Sequence, residues 1–215
     1  MSTPVDQNAK LVKATDDDEL FDKQQYQSAV GSLLHLSVGT RPDITFAVSN
    51  VAKFSSNPTT QHWTGVKRIM RYLRGTADLG LIYTPQDNCN CVGFSDSDWA
   101  GDLDDRKSTS GYVFKIGGNT VSWRSKKQTT VALSTAEAEY IALASAAQEA
   151  VWLEQLCSEL TGRPQAKPTT IFEDNQAAIA MSHNPKFHGR SKHVGIKYHF
   201  VRDKVAEGAI EVNYC

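Results

Sequence analysis

The stretch Gly93–Asp102, GFSDSDWAGD, sets three aspartates where the apolar run CVGF gives out. An apolar run of this length bounded by polar and Gly residues reads as a buried β-strand whose carboxyl end meets a loop. Carboxylates so close together raise one another's pKa and destabilise the chain unless a cation neutralises them. A divalent metal ion is one explanation of the cluster. An acidic surface turn is the other, because Asp, Ser and Gly are ordinary loop formers.

Outward from this stretch the pattern is of strands and helices in a fixed order. LGLIYT lies upstream and reads as a strand; GYVFKIGG and TVSWRS follow, joined by a Gly-Gly-Asn turn that predicts an antiparallel hairpin. LSTAEAEYIALASAAQEAVWLEQLCSELTG then opens with Ser134-x-x-Glu137, a capping-box pattern, and ends before Gly162, so a long helix is expected there. The strand TTIFED runs into a helix NQAAIAMS, and the polar loop NPKFHGRSKH leads to a helix VGIKYHFVRDKVAEG and a last strand AIEVNY. From CVGF onward the order β-β-β-α-β-α-α-β predicts an α/β fold, a mixed sheet with helices packed on its faces.

Before Gly75 the signals are helical. YQSAVGSLLHLSV carries apolar residues at helical intervals, Pro42 opens a second helix through DITFAVSNVAKF, and a third closes at Gly75. In the third, Trp63, Val66, Met70 and Leu73 share one face and Lys67, Arg71 and Arg74 another. Met1–Gln24 is polar, with the run Asp16-Asp17-Asp18-Glu19, and reads as a weakly ordered leader or linker. Three parts are therefore expected: a leader over 1–24, a helical segment over 25–80 and an α/β domain over 88–215.

Bulk properties exclude little. The chain has 215 residues, 40% hydrophobic and 22% charged, as in an ordinary globular protein, and its net charge of −1 advertises no global basic field for nucleic acid. No apolar run approaches a membrane span and the start MSTPVDQNAK lacks a signal-peptide core, so an intracellular, cytoplasmic protein without membrane contact is expected. Its four cysteines show no C-x-x-C pairing, and reduced thiols are the default.

Spacing along the long helix singles out one acid. Positions 139, 143, 146, 150, 153, 157 and 160 hold Glu, Leu, Ala, Ala, Leu, Cys and Leu in steps of four and three, so Glu139 heads the apolar stripe. Glu137 lies two residues away, about 200° around the helix, and suits a capping box. A carboxylate on a core-facing stripe is costly unless paired or metal-bound. Asp174 follows the strand TIF at a helix boundary, where Asp is also a favoured N-cap. Since sites in open α/β sheets form at the carboxyl ends of strands, Asp96, Glu139 and Asp174 can converge. Three such oxygen donors suit one or two Mg²⁺ or Mn²⁺ ions and hydrolysis of a phosphodiester, although each acid also has its own structural explanation.

The longer motifs GFSDSDWAGDLDDRKSTSGYVF, VSWRSKKQTTVALSTAEAEYIAL, FEDNQAAI and GRSKHVGIKYHFVRDKV occur in one order between Cys91 and Asn213. Together they resemble the ribonuclease H domain of copia-type retrotransposon Pol polyproteins. The stretches from YQSAVGSLLHLSV to HWTGVKRIMRYLRGTADLGLIY resemble the reverse-transcriptase thumb and connection of the same polyproteins. The resemblance implies a ribonuclease H-like five-stranded fold and cleavage of RNA in RNA–DNA hybrids made during reverse transcription. It also implies Asp96, Glu139 and Asp174 as the catalytic, metal-binding acids of a two-metal site. The implied partners are the hybrid and the reverse-transcriptase palm of the same polyprotein, within a virus-like particle if the element is active.

One position departs from that pattern. Gly195 stands where the family carries a further acid, so a weakened second metal site, or a binding remnant that no longer cuts, is the alternative. Candidate nucleic-acid contacts are Arg106, Lys107, Ser108, Thr109, Arg124, Lys126, Lys127, Arg190, Lys192 and His193, each of which also suits an ordinary solvated surface. An integrase of related fold is disfavoured by the order Asp, Glu, Asp along the chain.

Overall fold

The computed structural model describes the chain apart from residues 7–8, 87–89, 163–166 and 184–194. It divides into two compact units, Met1–Ile82 with Asp102–Arg106 and Tyr83–Gly101 with Lys107–Cys215.

In the first unit Asp22 caps helix α1 (Lys23–Gly39) by accepting from the Gln25 N–H at 2.7 Å. A 3₁₀ turn, Pro42–Ile44, precedes α2 (Thr45–Ala52), and Thr59 caps α3 (Thr60–Gly75). Tyr26, Val30, Leu33, Val48, Val66 and Ile69 form the shared core. The buried face of α3 is His62, Val66, Ile69 and Tyr72, while Met70 is exposed, a correction to the stripe expected from hydrophobicity. His62 causes the rotation. Its Nδ1 accepts from the Thr59 N–H, its Nε2 bonds the Val12 carbonyl, and its ring stacks on Phe54 with centroids 4.0 Å apart. A polar residue thereby becomes a core residue.

The segment before α1, expected to be weakly ordered, instead packs on these helices. Val5, Leu11 and Phe21 join the core, Phe21 stacks on Trp63 at 4.5 Å, and Asp6 pairs with Arg68 at 3.0 Å. Its apolar residues are few and far apart, which hides them from a compositional reading.

The second unit is a five-stranded sheet with helices. Its elements are β1 (Cys91–Ser97), β2 (Thr109–Ile116), β3 (Asn119–Lys127), α4 (Thr135–Thr161), β4 (Thr169–Glu173), α5 (Gln176–His183), α6 (Gly195–Ala206) and β5 (Ile210–Tyr214). The strand order is β3-β2-β1-β4-β5, with β1–β2 and β2–β3 antiparallel and β1–β4 and β4–β5 parallel. This is the mixed five-stranded sheet that the resemblance implies. The β2–β3 turn uses Gly117 and Gly118 at φ 55° and 81°, the left-handed pair a tight hairpin demands. LGLIYT forms no strand, and Thr84 is tied instead to the Asn119 side chain at 2.8 Å.

Helix α4 packs across β1, β2 and β4. Ala138, Ala142, Ala146, Ala147 and Ala150 are wholly buried, and all but Ala142 share one core with Phe114 and Ile171 of the sheet. The expected stripe is buried from Glu139 to Leu153, but Leu160 is exposed, since the helix outruns the sheet there.

Candidate metal centre

Asp96 is the sixth residue of β1, and Asp174 is the first residue after β4. These strands are parallel neighbours in register Phe94 to Phe172, so the two aspartates stand two residues beyond that pair at matching strand ends. Helix α4, capped by the Ser134 hydroxyl accepting from the Glu137 N–H at 3.2 Å, brings Glu139 to the same place. One carboxylate oxygen from each of Asp96, Glu139 and Asp174 lies within 4.8 Å of the others. Asp96 and Asp174 are exposed and Glu139 is buried.

Electrostatics follow from that geometry. Burial pushes the Glu139 carboxyl up to about 8, helped by the charges of Glu173, Asp96 and Asp174. Its Oε2 is buried and has no hydrogen-bond partner among the described residues. Three carboxylates that converge, one of them buried, make an all-oxygen donor set that fits a hard divalent ion such as Mg²⁺ or Mn²⁺.

The ordinary explanation of Asp174 as a helix cap does not hold. The cap of α5 is Asn175, whose Oδ1 accepts from the Ala177 and Ala178 N–H groups at 3.0 and 3.1 Å. Asp98 and Asp102 are engaged elsewhere. Asp98 Oδ1 accepts from the Thr109 N–H, and Asp102 pairs with Lys53 at 3.0 Å within the first unit. Glu137 Oε2 accepts from the Leu133 N–H at 2.9 Å, in keeping with a capping role.

Glu173 escaped the sequence reading. It is fully buried, accepts from the Ser95 hydroxyl at 2.5 Å and from the Asn175 N–H at 3.2 Å, and is pushed up to about 7 chiefly by burial. The alternation of Thr169, Ile171 and Glu173 on the buried side of β4 is the signal that could have found it.

Among the expected nucleic-acid contacts, Arg106 is exposed in the first unit, and Arg124 and Lys126 are exposed on the edge strand β3. Lys107, Thr109 and Lys127 are half-buried. Ser108 is a correction. It is fully buried and its hydroxyl accepts from the Ala100 N–H at 3.0 Å, fixing the loop after β1 rather than meeting a phosphate. Arg190, Lys192 and His193 lie outside the described residues.

A Pol polyprotein from the tobacco transposon TNT 1-94 is 42% identical over 99% of this chain. The chain belongs to the retrovirus-related Pol polyproteins of transposons. A second Pol polyprotein, from the Arabidopsis thaliana transposon RE2, is 40% identical over 99% of the chain. This Pol segment spans only 16% and 14% of those two relatives. A shorter relative, the secreted RxLR effector protein 161 of Plasmopara viticola, is 55% identical over 60% of this chain and 90% of its own. No protein-family model matches the chain. Among solved structures, the foamy viral protease–reverse transcriptase dRH in complex with double-stranded DNA shares the fold at TM-score 0.57 and 12% identity, over 94% of this chain and 33% of that one.

Proposed function

We propose that this Pol segment hydrolyses the RNA strand of RNA–DNA hybrids in a divalent-metal-dependent reaction. The observation that carries the reading is the convergence of Asp96, Glu139 and Asp174, with Glu139 buried, at the ends of adjacent parallel strands in a member of the Pol family. These three residues would hold the metal ions. Divalent ions bound there supply charge that favours hydroxide over water and stabilises the leaving oxygen.

The chain's own groups set the geometry. Glu139 anchors the centre from the buried side, and Asp96 and Asp174 face solvent, where a phosphodiester has access. Water adds to phosphorus while the bridging P–O bond breaks and the departing oxygen takes a proton. Hybrid recognition rests on shape, 2′-hydroxyls and phosphates, with Arg124 and Lys126 on β3 as exposed cationic contacts. The reverse-transcriptase palm of the same polyprotein is the proposed protein partner, in the cytoplasm of the host cell.

Gly195 supports a second reading. It opens α6 and offers no ligand atom where an acid is expected, which favours a slow or metal-hungry enzyme. Hybrids labelled on either strand, beside RNA and DNA duplexes, test both readings in Mg²⁺ and Mn²⁺. Cutting confined to the RNA strand of the hybrid, and faster in Gly195→Asp, is expected. Equal cutting of all duplexes, or none by either protein, would refute the nuclease.

A further inference from the structure

Gln128 directly follows β3 and is buried. Its backbone N–H donates to the Ser108 carbonyl at 2.8 Å, which carries the β2–β3 pairing one residue past the strand. Its side-chain nitrogen donates to the Ala138 carbonyl at 2.9 Å and to the Ser110 hydroxyl oxygen at 2.9 Å, and lies 3.3 Å from the Ser97 hydroxyl oxygen.

The partners matter more than their number. Ser97 follows Asp96 on β1, and Ala138 precedes Glu139 on α4. One amide therefore bridges the immediate neighbours of two acids that repel each other in the absence of a cation. The Oε1 of the same amide is buried and has no partner among the described residues. Leaving such an acceptor unpaired costs stability, so the placement serves the bridge more than the hydrogen-bond inventory.

We propose that Gln128 is a positioning residue of the metal centre: by clamping the first turn of α4 to the end of β1 it fixes the separation of Glu139 from Asp96. The inference deepens the metal-centre reading and rests on it. It assigns no contact between Gln128 and the substrate.

The test uses the full chain with Gln128→Met, which keeps length but no polar group, and Ser110→Ala, which removes one partner alone. Mn²⁺ titration, thermal melting and hydrogen exchange along α4 are measured without substrate. Outer-shell partners of metal ligands contribute about 10- to 100-fold in affinity, and a loss of that size is expected in Gln128→Met, with a smaller loss in Ser110→Ala. Faster exchange should be confined to the first turns of α4, with the amides beyond Ala150 unchanged. Parental Mn²⁺ affinity in both variants, or uniformly faster exchange along α4, overturns the proposal and leaves Gln128 a packing residue. If Gln128→Met does not fold, Ser110→Ala decides alone on the same two readouts. If the parent binds no Mn²⁺, the metal-centre reading fails separately, and hydrogen exchange still decides whether the clamp exists.

Discussion

Glu139 and Glu173 make stability depend on pH in a definite direction. Both are raised in the folded protein, to about 8 and about 7, chiefly by burial. An acid whose folded pKa exceeds its unfolded value binds more protons folded than unfolded, so stability falls as pH rises from the unfolded to the folded pKa. These two acids should therefore lower the melting temperature of the metal-free protein between about pH 4.5 and 8, against an opposite contribution from His62, whose pKa is lowered by burial. In Glu139→Gln the fall should be shallower and should end nearer pH 7, and saturating Mg²⁺ should offset it in the parent but not in the variant. Parallel profiles in the parent and Glu139→Gln would contradict the burial of Glu139. At this scale the sequence disclosed the three acids through helical spacing and strand ends. It hid Glu173, because acids on buried strand positions are rare, and it overstated Ser108, because a hydroxyl that caps a loop looks like one that meets a phosphate.

At the scale of elements, close packing of β1 against its neighbours is the constraint that brings the strand end to α4. A Cβ at Gly93 would stand 2.4 Å from Cε1 of the buried Phe114 ring. Gly93→Ala should cost about 1–3 kcal/mol by overpacking, read as a lower urea midpoint with unchanged slope. Ser134→Ala should cost about 1 kcal/mol through the lost N-cap of α4, and weaken metal binding only slightly if Gln128 holds the first turn. Helix α4, the hairpin and β4 were legible because long periodicity, paired glycines and a short apolar run are local signals. LGLIYT was not, since its apolar residues suit a strand but none of the described strands pairs with it. The face of α3 was missed for a tertiary reason: His62 is buried by hydrogen bonds that reach Thr59 and Val12.

Over the whole molecule, a net charge of −1 means that hybrid binding must come from local cations. Each phosphate contact lowers the slope of log affinity against log salt by about 0.7 to 0.9. Arg124→Glu and Lys126→Glu on the exposed edge strand should each weaken hybrid binding and flatten that slope by roughly one contact, measured by fluorescence anisotropy across a salt series. An unchanged slope would remove β3 from the interface. The topology of the second unit was readable from element order, whereas the packed course of residues 1–22 was not, because isolated apolar residues such as Leu11 and Phe21 carry no period.

The central claim is that Asp96, Glu139 and Asp174 form one metal centre, and calorimetric titration with Mn²⁺ tests it most directly. The parent should bind, and Asp96→Asn, Glu139→Gln and Asp174→Asn should each lose at least about 10-fold in affinity while still melting cooperatively. Equal Mn²⁺ affinity in the parent and all three folded variants would show that the carboxylates do not act together.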